Sequence, residues 1–444
     1  MKLHDHPTVK AYHARSSRSH VQPDVLDASQ LKKMAIAAGA AGAGIIDLSR
    51  DTIEEYRKDI LDTLPGTKAI LVLAFSVGSN HLKSINHSVV DSEFKFAFQE
   101  TNHLARKLVS DFDSMGIKAL NMPAGFPFEM TRWPERVWLT CDKLFAVEAG
   151  LGHMGLNRLV LHPRYGSAIV LTSIFLSENC DHYDQPIDYN PCIKCGLCLK
   201  VCPVGAVKST DEFDFMACYT HNYREKLGGF SNWIEQIVES RSVAEYREKV
   251  TDSETASMWQ HLAVSSQTKC DRCMAVCPAG EMAIGPYLED REGYIENTVK
   301  RFKDKAETIY VIKGSDAELH TAKRFPAKTI KYVSNGMRPK SAAMFLESLP
   351  LAFQENQAEG IDATYHFTFT GHESLEKTVI IRGKVMQVKE GLEGNPDLHI
   401  TADSQVWVSF LSKETSLLKA LLLRKIRIKG PKNLMKAFAQ CFPS

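Results

Sequence analysis

The chain has 444 residues, of which 44% are apolar and 24% charged, and its formal net charge is +1. This is the make-up of a globular protein of two to four domains, and the near-zero net charge excludes a bulk pull toward nucleic acid or an anionic membrane. The opening residues show no apolar leader segment, so eleven cysteines are read as reduced thiols of a cytoplasmic protein, not as a disulfide framework.

Residues 1–30 are polar and aperiodic and read as an N-terminal arm. Residues 31–46 are rich in small side chains and read as a helix running into a turn at Gly42 and Gly44. Residues 68–77 (KAILVLAFSV) form an apolar run of strand length, as in a sheet covered on both faces. No such run approaches the roughly 20 residues of a spanning helix, so no membrane span is expected. Residues 91–115 read as an amphipathic helix, 117–121 as a short strand, 144–150 as a helix end and 167–176 (SAIVLTSIFL) as a second buried strand. The alternation predicts an α/β domain over residues 31–185.

The cysteines then concentrate. Residues 191–203 read PCIKCGLCLKVCP, with the spacing Cys192-x2-Cys195-x2-Cys198-x3-Cys202-Pro203. In this run three thiolates hold one [4Fe–4S] cubane, and the fourth begins a helix and ligates a second cluster. Residues 270–278 (CDRCMAVCP) repeat it with one cysteine missing, since position 267 is Gln267. Cys218 is the remaining cysteine in the region and brings the total to eight. Elimination then predicts Cys192, Cys195, Cys198 and Cys277 on cluster one, and Cys202, Cys218, Cys270 and Cys273 on cluster two. Four-cysteine zinc sites are the alternative, but two C-x3-C-P endings favour iron–sulfur. Cys141, Cys180 and Cys441 read as buried or incidental thiols, Cys141 standing out because it lies just before a Gly-rich segment.

The two-cluster ferredoxin-like module spans 186–290, with a charged helical insertion over 223–260, and the charge-rich residues 291–332 read as a linker region. From 333 to 444 the pattern is α+β. A helix is expected over 337–357, strands over 364–370, 378–382, 384–388 and 398–402, an apolar helix over 416–427 and a last helix over 433–442.

Residues 149–175 (AGLGHMGLNRLVLHPRYGSAIVLTSIF), followed by DQPID at 184–188 and the first cysteine run, resemble the reductive dehalogenases and epoxyqueuosine reductase. The resemblance covers roughly 30–290 and is strong from Ala149 to Pro278. It implies a nitroreductase-like α/β domain holding cobalamin opposite the nearer cluster, with Gly150, Gly152, His153, Gly155 and Asn157 against it. A Gly-rich turn suits that role because bare backbone can approach a flat macrocycle, although a helix C-cap before a strand has the same pattern. Epoxyqueuosine reductases carry an acidic proton donor ahead of this segment; the aligned position here is Arg136. Candidate donors are therefore Asp142, Arg132, His153 and Tyr165, each with an exposed or helix-pairing role as its structural alternative. The helical repeats of epoxyqueuosine reductase and the export signal of respiratory dehalogenases are absent from the pattern.

Residues 364–369 (TYHFTF), 395–400 (NPDLHI) and 425–430 (KIRIKG) resemble the sterol carrier protein 2 domain. That resemblance implies an apolar tunnel lined or capped by Leu417, Leu418, Leu421 and Leu422, which could equally be plain core.

Together these readings imply a corrinoid-dependent reductase that removes halide, hydroxyl or epoxide oxygen from an apolar or lipid-like substrate. Its electrons would come from a donor such as ferredoxin or flavodoxin, and no nucleic-acid partner is expected. Two alternatives remain: an electron-transfer or corrinoid-handling protein without its own substrate, and the same scaffold holding haem or flavin.

Overall fold

A computed structural model describes residues 2–16, 24–134, 136–210, 212–264 and 268–443. Gln267 lies outside the described residues, as do 17–23 of the expected arm. The described part of that arm holds a helix, Pro7–Ser16, and the arm ends in a short strand, β1 (Val25–Leu26).

The N-terminal domain is built on β3 (Ala69–Ser76), whose residues Ala69 to Ala74 are fully buried. Its side chains alternate between two cores. Leu71 and Leu73 pack with Leu31, Leu108 and Phe112 of the Ala28–Ala37 and His87–Ser114 helices. Ile70 and Val72 pack with Ile60 and Phe145 of the Glu54–Thr63 and Asp142–Glu148 helices. Both predicted buried strands are present, the second as β7 (Ile169–Leu176). With β2 (Gly42–Asp47) and β4 (Ala119–Asn121) they form a sheet in the order β2-β3-β7-β4. Every pair in it is antiparallel, an order on which the expected alternation of strands and helices was silent. The chain-distant β7 inserts between β3 and β4, so β3 pairs with β2 and β7 but not with β4.

Gly42 and Gly44 belong to β2, not to a turn. A Cβ on Gly44 would stand 2.3 Å from the Ala149 carbonyl oxygen, so glycine lets the Asp142–Glu148 helix end lie flush on the strand. Beyond that helix, β5 (His153–Met154) and β6 (Val160–Leu161) form a small hairpin, and β8 (Asn179–Cys180) pairs in parallel with β1.

Residues 291–332 are not a linker. The strands β9 (Thr308–Val311) and β10 (Thr329–Tyr332) pair in parallel around the Asp316–Arg324 helix. Ile309, Val311 and Ala317 share a core with Cys202, Val204, Ala206 and Ala217 of the cysteine module. The charges that suggested a linker are spent in ion pairs: Glu307 with Arg272 and Lys328, and Lys331 with Glu254.

The C-terminal domain carries β11 (Asp362–Thr370), β12 (Leu375–Arg382), β13 (Val385–Glu390), β14 (Leu398–Asp403) and β15 (Ile426–Lys429), in the order β13-β12-β11-β14-β15. Tyr365, Phe367 and Phe369 alternate inward from β11 onto Phe345, Trp407 and Phe438. The expected helix over 416–427 is two elements. The helix Leu417–Leu422 ends at Arg424, which turns left-handed (φ 57°), and β15 follows. Leu417 and Leu421 pack on the core, whereas Leu418 and Leu422 face outward and neither line nor cap an interior. Among the described residues no helix is long and apolar enough to cross a membrane.

Phe367 is fully buried, with the Phe438 ring at 5.5 Å and the Phe345 ring at 5.9 Å. Phe367→Ala is expected to lower the stability of this domain by about 3–5 kcal/mol in urea unfolding; a loss below about 1 kcal/mol would mean that the site is not a packed core.

Candidate functional site

The first cysteine loop reverses through two left-handed residues, Lys194 (φ 51°) and Gly196 (φ 71°), before the Leu197–Val201 helix begins. This turn aims Cys192, Cys195 and Cys198 into one apolar hollow, and Cys277 of the second motif lines the same hollow. The other four cysteines form a second set. Burial raises the Cys218 thiol far above its ordinary value, with Cys270 and Cys202 adding to the effect. Burial likewise lifts Cys273 well up, reinforced by Cys270, Cys218, Cys202 and Cys198. Cys198, in the first set, is pushed up to about 12 by burial and by Cys277, Cys195 and Cys192. Thiols that raise one another in this way resist joint ionisation unless a cation shares them, which is the condition a cluster's iron satisfies. Among the described residues no three His, Cys, Asp or Glu side chains are arranged to hold a metal ion on their own.

One residue ties the displaced cysteine to its set. Cys218 and Asn222 lie one turn apart on the Phe215–Asn222 helix. The Asn222 Oδ1 accepts from the backbone N–H groups of Lys269 (3.1 Å) and Cys270 (2.8 Å) and from the Thr268 hydroxyl (3.1 Å). The same loop is held by Asp91, which accepts from the Thr268 N–H at 2.9 Å, and by Glu225, paired with Lys269 and His261 at 2.5 and 2.7 Å. Burial alone would raise the Glu225 carboxyl; the His261 hydrogen bond and the Lys269 charge instead hold it well below the usual range.

Of the four candidate proton donors, Asp142 is the one next in sequence to Lys143, on which the Cys218 and Cys273 thiols act. It opens the Asp142–Glu148 helix, and its Oδ1 accepts from the Ser173 hydroxyl at 2.6 Å. Burial pushes the carboxyl up to about 6, with the serine hydrogen bond opposing. Its neighbour Lys143 donates to the Arg158 carbonyl at 2.9 Å. Burial pulls the Lys143 ammonium down, while the nearby Cys141, Cys218 and Cys273 thiols work the other way.

The remaining candidates have other partners. Arg132 grips Asp59 with both guanidinium nitrogens (2.5 and 2.8 Å), and Arg136 adds a third contact at 2.6 Å. These arginines fasten their loop to the Glu54–Thr63 helix, and Arg132 holds the Asp59 carboxyl below the usual range. The His153 ring Nδ1 lies 3.3 Å from the Met154 carbonyl oxygen. The Tyr165 ring lies tilted at 5.3 Å from that of His162, beside Gly166, where a Cβ would meet the Ala279 carbonyl at 1.8 Å, so it sits at the junction with the Cys277 loop.

The Gly-rich turn departs from expectation. A Cβ at Gly150 would meet the Gln185 carbonyl at 2.5 Å, at Gly152 the Leu161 carbonyl at 2.4 Å, and at Gly155 the Leu161 side chain at 2.7 Å. The chain itself fills the space at these three Cα atoms, which gives each glycine a packing reason of its own. Buried Asn157 lines the first hollow and donates to the Cys273 carbonyl at 3.2 Å, linking the turn to the second cysteine loop. The thiols of Cys180 and Cys441 are buried and pushed up to about 12 and about 11, as structural cysteines are. Asn222, Ser173 and Lys143 are the residues that sequence reasoning missed. Only Asn222 carried a signal, its one-turn spacing from Cys218.

Comparison with known proteins identifies two parts of the chain. Residues 186–208 match the family model of the 4Fe-4S binding domain, and 347–443 that of the SCP-2 sterol transfer family. The chain therefore binds a [4Fe–4S] cluster and ends in a domain of SCP-2 type. Epoxyqueuosine reductase of Pseudomonas aeruginosa is 25% identical over 142 residues, 32% of each chain. That of Prochlorococcus marinus is 25% identical over 218 residues, 45% of this chain and 64% of its own. The solved epoxyqueuosine reductase from Streptococcus thermophilus is 16% identical, covering 61% of this chain and 75% of its own at a TM-score of 0.32. The chain thus spans between about a third and two thirds of the curated relatives it matches here.

Asn222→Leu removes the acceptor from two backbone N–H groups beside Cys270, each worth roughly 1–3 kcal/mol when left unpaired. It is expected to lower bound iron toward half, whereas Asn222→Asp, which keeps an acceptor, should retain it. Equal iron in the leucine variant and the unaltered protein would show that the clasp is dispensable.

Proposed function

We propose that this chain is an iron–sulfur oxidoreductase in which two [4Fe–4S] clusters pass electrons toward a reducible group beside the Asp142–Glu148 helix. The observation that carries this reading is that Cys277 of the second motif lines one hollow with Cys192, Cys195 and Cys198 of the first, while Cys202 and Cys218 act on the thiol of Cys273. Cys192, Cys195, Cys198 and Cys277 would hold one cluster; Cys202, Cys218, Cys270 and Cys273 the other. Cys198 is close enough to contribute to the shift at Cys273, which supports transfer between the two. Ile193, exposed beside the first set, marks the side on which a donor protein such as ferredoxin or flavodoxin would dock.

The resemblance to epoxyqueuosine reductase and the dehalogenases favours cobalamin as the acceptor, with residues 31–185 as its nitroreductase-like holder. Asp142 and Lys143, not the filled glycine turn, are the side chains that would face it. When bound, a corrinoid supplies reductive cleavage of a carbon–halogen or carbon–oxygen bond. The chain's own part is to orient the Asp142 carboxyl through Ser173 and to hold a proton on it up to about pH 6. The SCP-2 type domain would present an apolar or lipid-like substrate. Asp142 also answers the lack of an acid at Arg136, and so favours an enzyme over a carrier without its own substrate.

Anaerobically purified protein is expected to contain about eight iron atoms per chain, with cobalt and a corrinoid spectrum on reconstitution. Cys218→Ala should lose about half the iron; full retention would overturn the crossed ligation, and a flavin or haem spectrum the corrinoid.

A carboxyl gives up a proton only while protonated, so single-turnover reduction should be full below about pH 6 and fall above it. Asp142→Asn should slow that step about 10²–10⁴-fold with iron content unchanged. An unchanged rate and pH profile would remove Asp142 from the reaction.

A further inference from the structure

Near-zero net charge conceals a local excess. Between Lys413 and Lys436 stand Lys413, Lys419, Arg424, Lys425, Arg427, Lys429, Lys432 and Lys436 against a single acid, Glu414. All eight cations are exposed, and among the described residues only Lys425 has an ion-pair partner, Asp403. The Leu417–Leu422 helix lies within this stretch. Its inner face packs Leu417, Ala420 and Leu421 on the domain core. Leu418 and Leu422, one turn apart on its outer face, are 68% and 76% exposed, and Leu423 beside them is 63% exposed. Lys419 shares that outer face, and Arg424 and Lys425 follow directly.

We infer that this helix and the turn after it form a docking surface for an anionic lipid bilayer. The charge is complementary to acidic headgroups, and three leucines ringed by cations are what inserts at the headgroup boundary. A nucleic acid would engage the cations yet leave the leucines in water, so the pattern favours lipid. Docking here would bring the SCP-2 type domain to the source of an apolar ligand without any spanning segment. The surface lies outside the cysteine module, so the inference stands whether or not the reductase reading does.

The test is flotation of the full, cluster-loaded chain with phosphatidylcholine vesicles, with and without phosphatidylglycerol. Binding is expected only with the anionic lipid, weakening as salt rises. Leu418→Ser/Leu422→Ser and Lys419→Glu/Arg424→Glu should each reduce it at least about tenfold, with iron content and circular dichroism unchanged. As a readout in an otherwise unaltered protein, Leu422→Trp should shift its emission to the blue on anionic vesicles. No binding to anionic vesicles, binding untouched by the serine changes, or tight binding of an RNA hairpin that depends on the cations alone would overturn the inference.

Discussion

Four thiols held near one another repel as they ionise, and the polypeptide around the second set is organised against that repulsion. The set draws on three separate segments, at Cys202, at Cys218 and at Cys270 with Cys273, so no single loop can position it. Asn222 fixes the angle between the helix of Cys218 and the loop of Cys270 through one oxygen and three donors. Asp91 and the Glu225–His261–Lys269 group hold the same loop from two other sides. Buried Arg272 stands next to Cys270 and is answered by Glu307, which also takes Lys328. A buried ionic group of this kind adds little net stability, but loss of any partner leaves a charge stranded. It serves to fix geometry.

The rest of the chain attaches to this centre in sequence. The β9-helix-β10 unit closes over the Cys202 turn: the His320 ring lies 3.1 Å from the Cys202 carbonyl, and the Thr321 hydroxyl donates to the Pro203 carbonyl at 2.8 Å. That unit in turn meets the C-terminal domain, where the Gln354 amide oxygen accepts from the Asp316 N–H at 2.7 Å and Asp316 accepts from the Asn356 N–H at 3.1 Å. On the opposite side, Asn157 links the Gly-rich turn to the Cys273 carbonyl, and Lys143 brings the Asp142 helix within reach of the thiols. Both outer domains are thus joined to the cysteine module by short contacts.

What the sequence disclosed is what short range controls. Cysteine spacing, the two apolar strands and the aromatic alternation of β11 each reflect neighbours within a few residues. The failures are long-range or environmental. Nothing local to β3 says that β7 will pair beside it, so the antiparallel order was invisible. Charges at Glu307, Lys328 and Lys331 look solvated until their partners at Arg272 and Glu254 are known. The glycines at 150, 152 and 155 have the pattern of a ligand turn, yet their reason is the approach of Gln185 and Leu161. The left-handed residue that splits the leucine-rich segment is Arg424, not a glycine or asparagine, so its pattern carried no stop signal.

The central claim is the crossed ligation, and electron paramagnetic resonance of the reduced protein addresses it most directly. Cys202→Ser and Cys218→Ser should perturb the same cluster signal, and Cys277→Ser the signal that Cys192→Ser perturbs. If Cys202→Ser instead alters the signal shared by Cys192, Cys195 and Cys198, each motif holds its own cluster and the account fails.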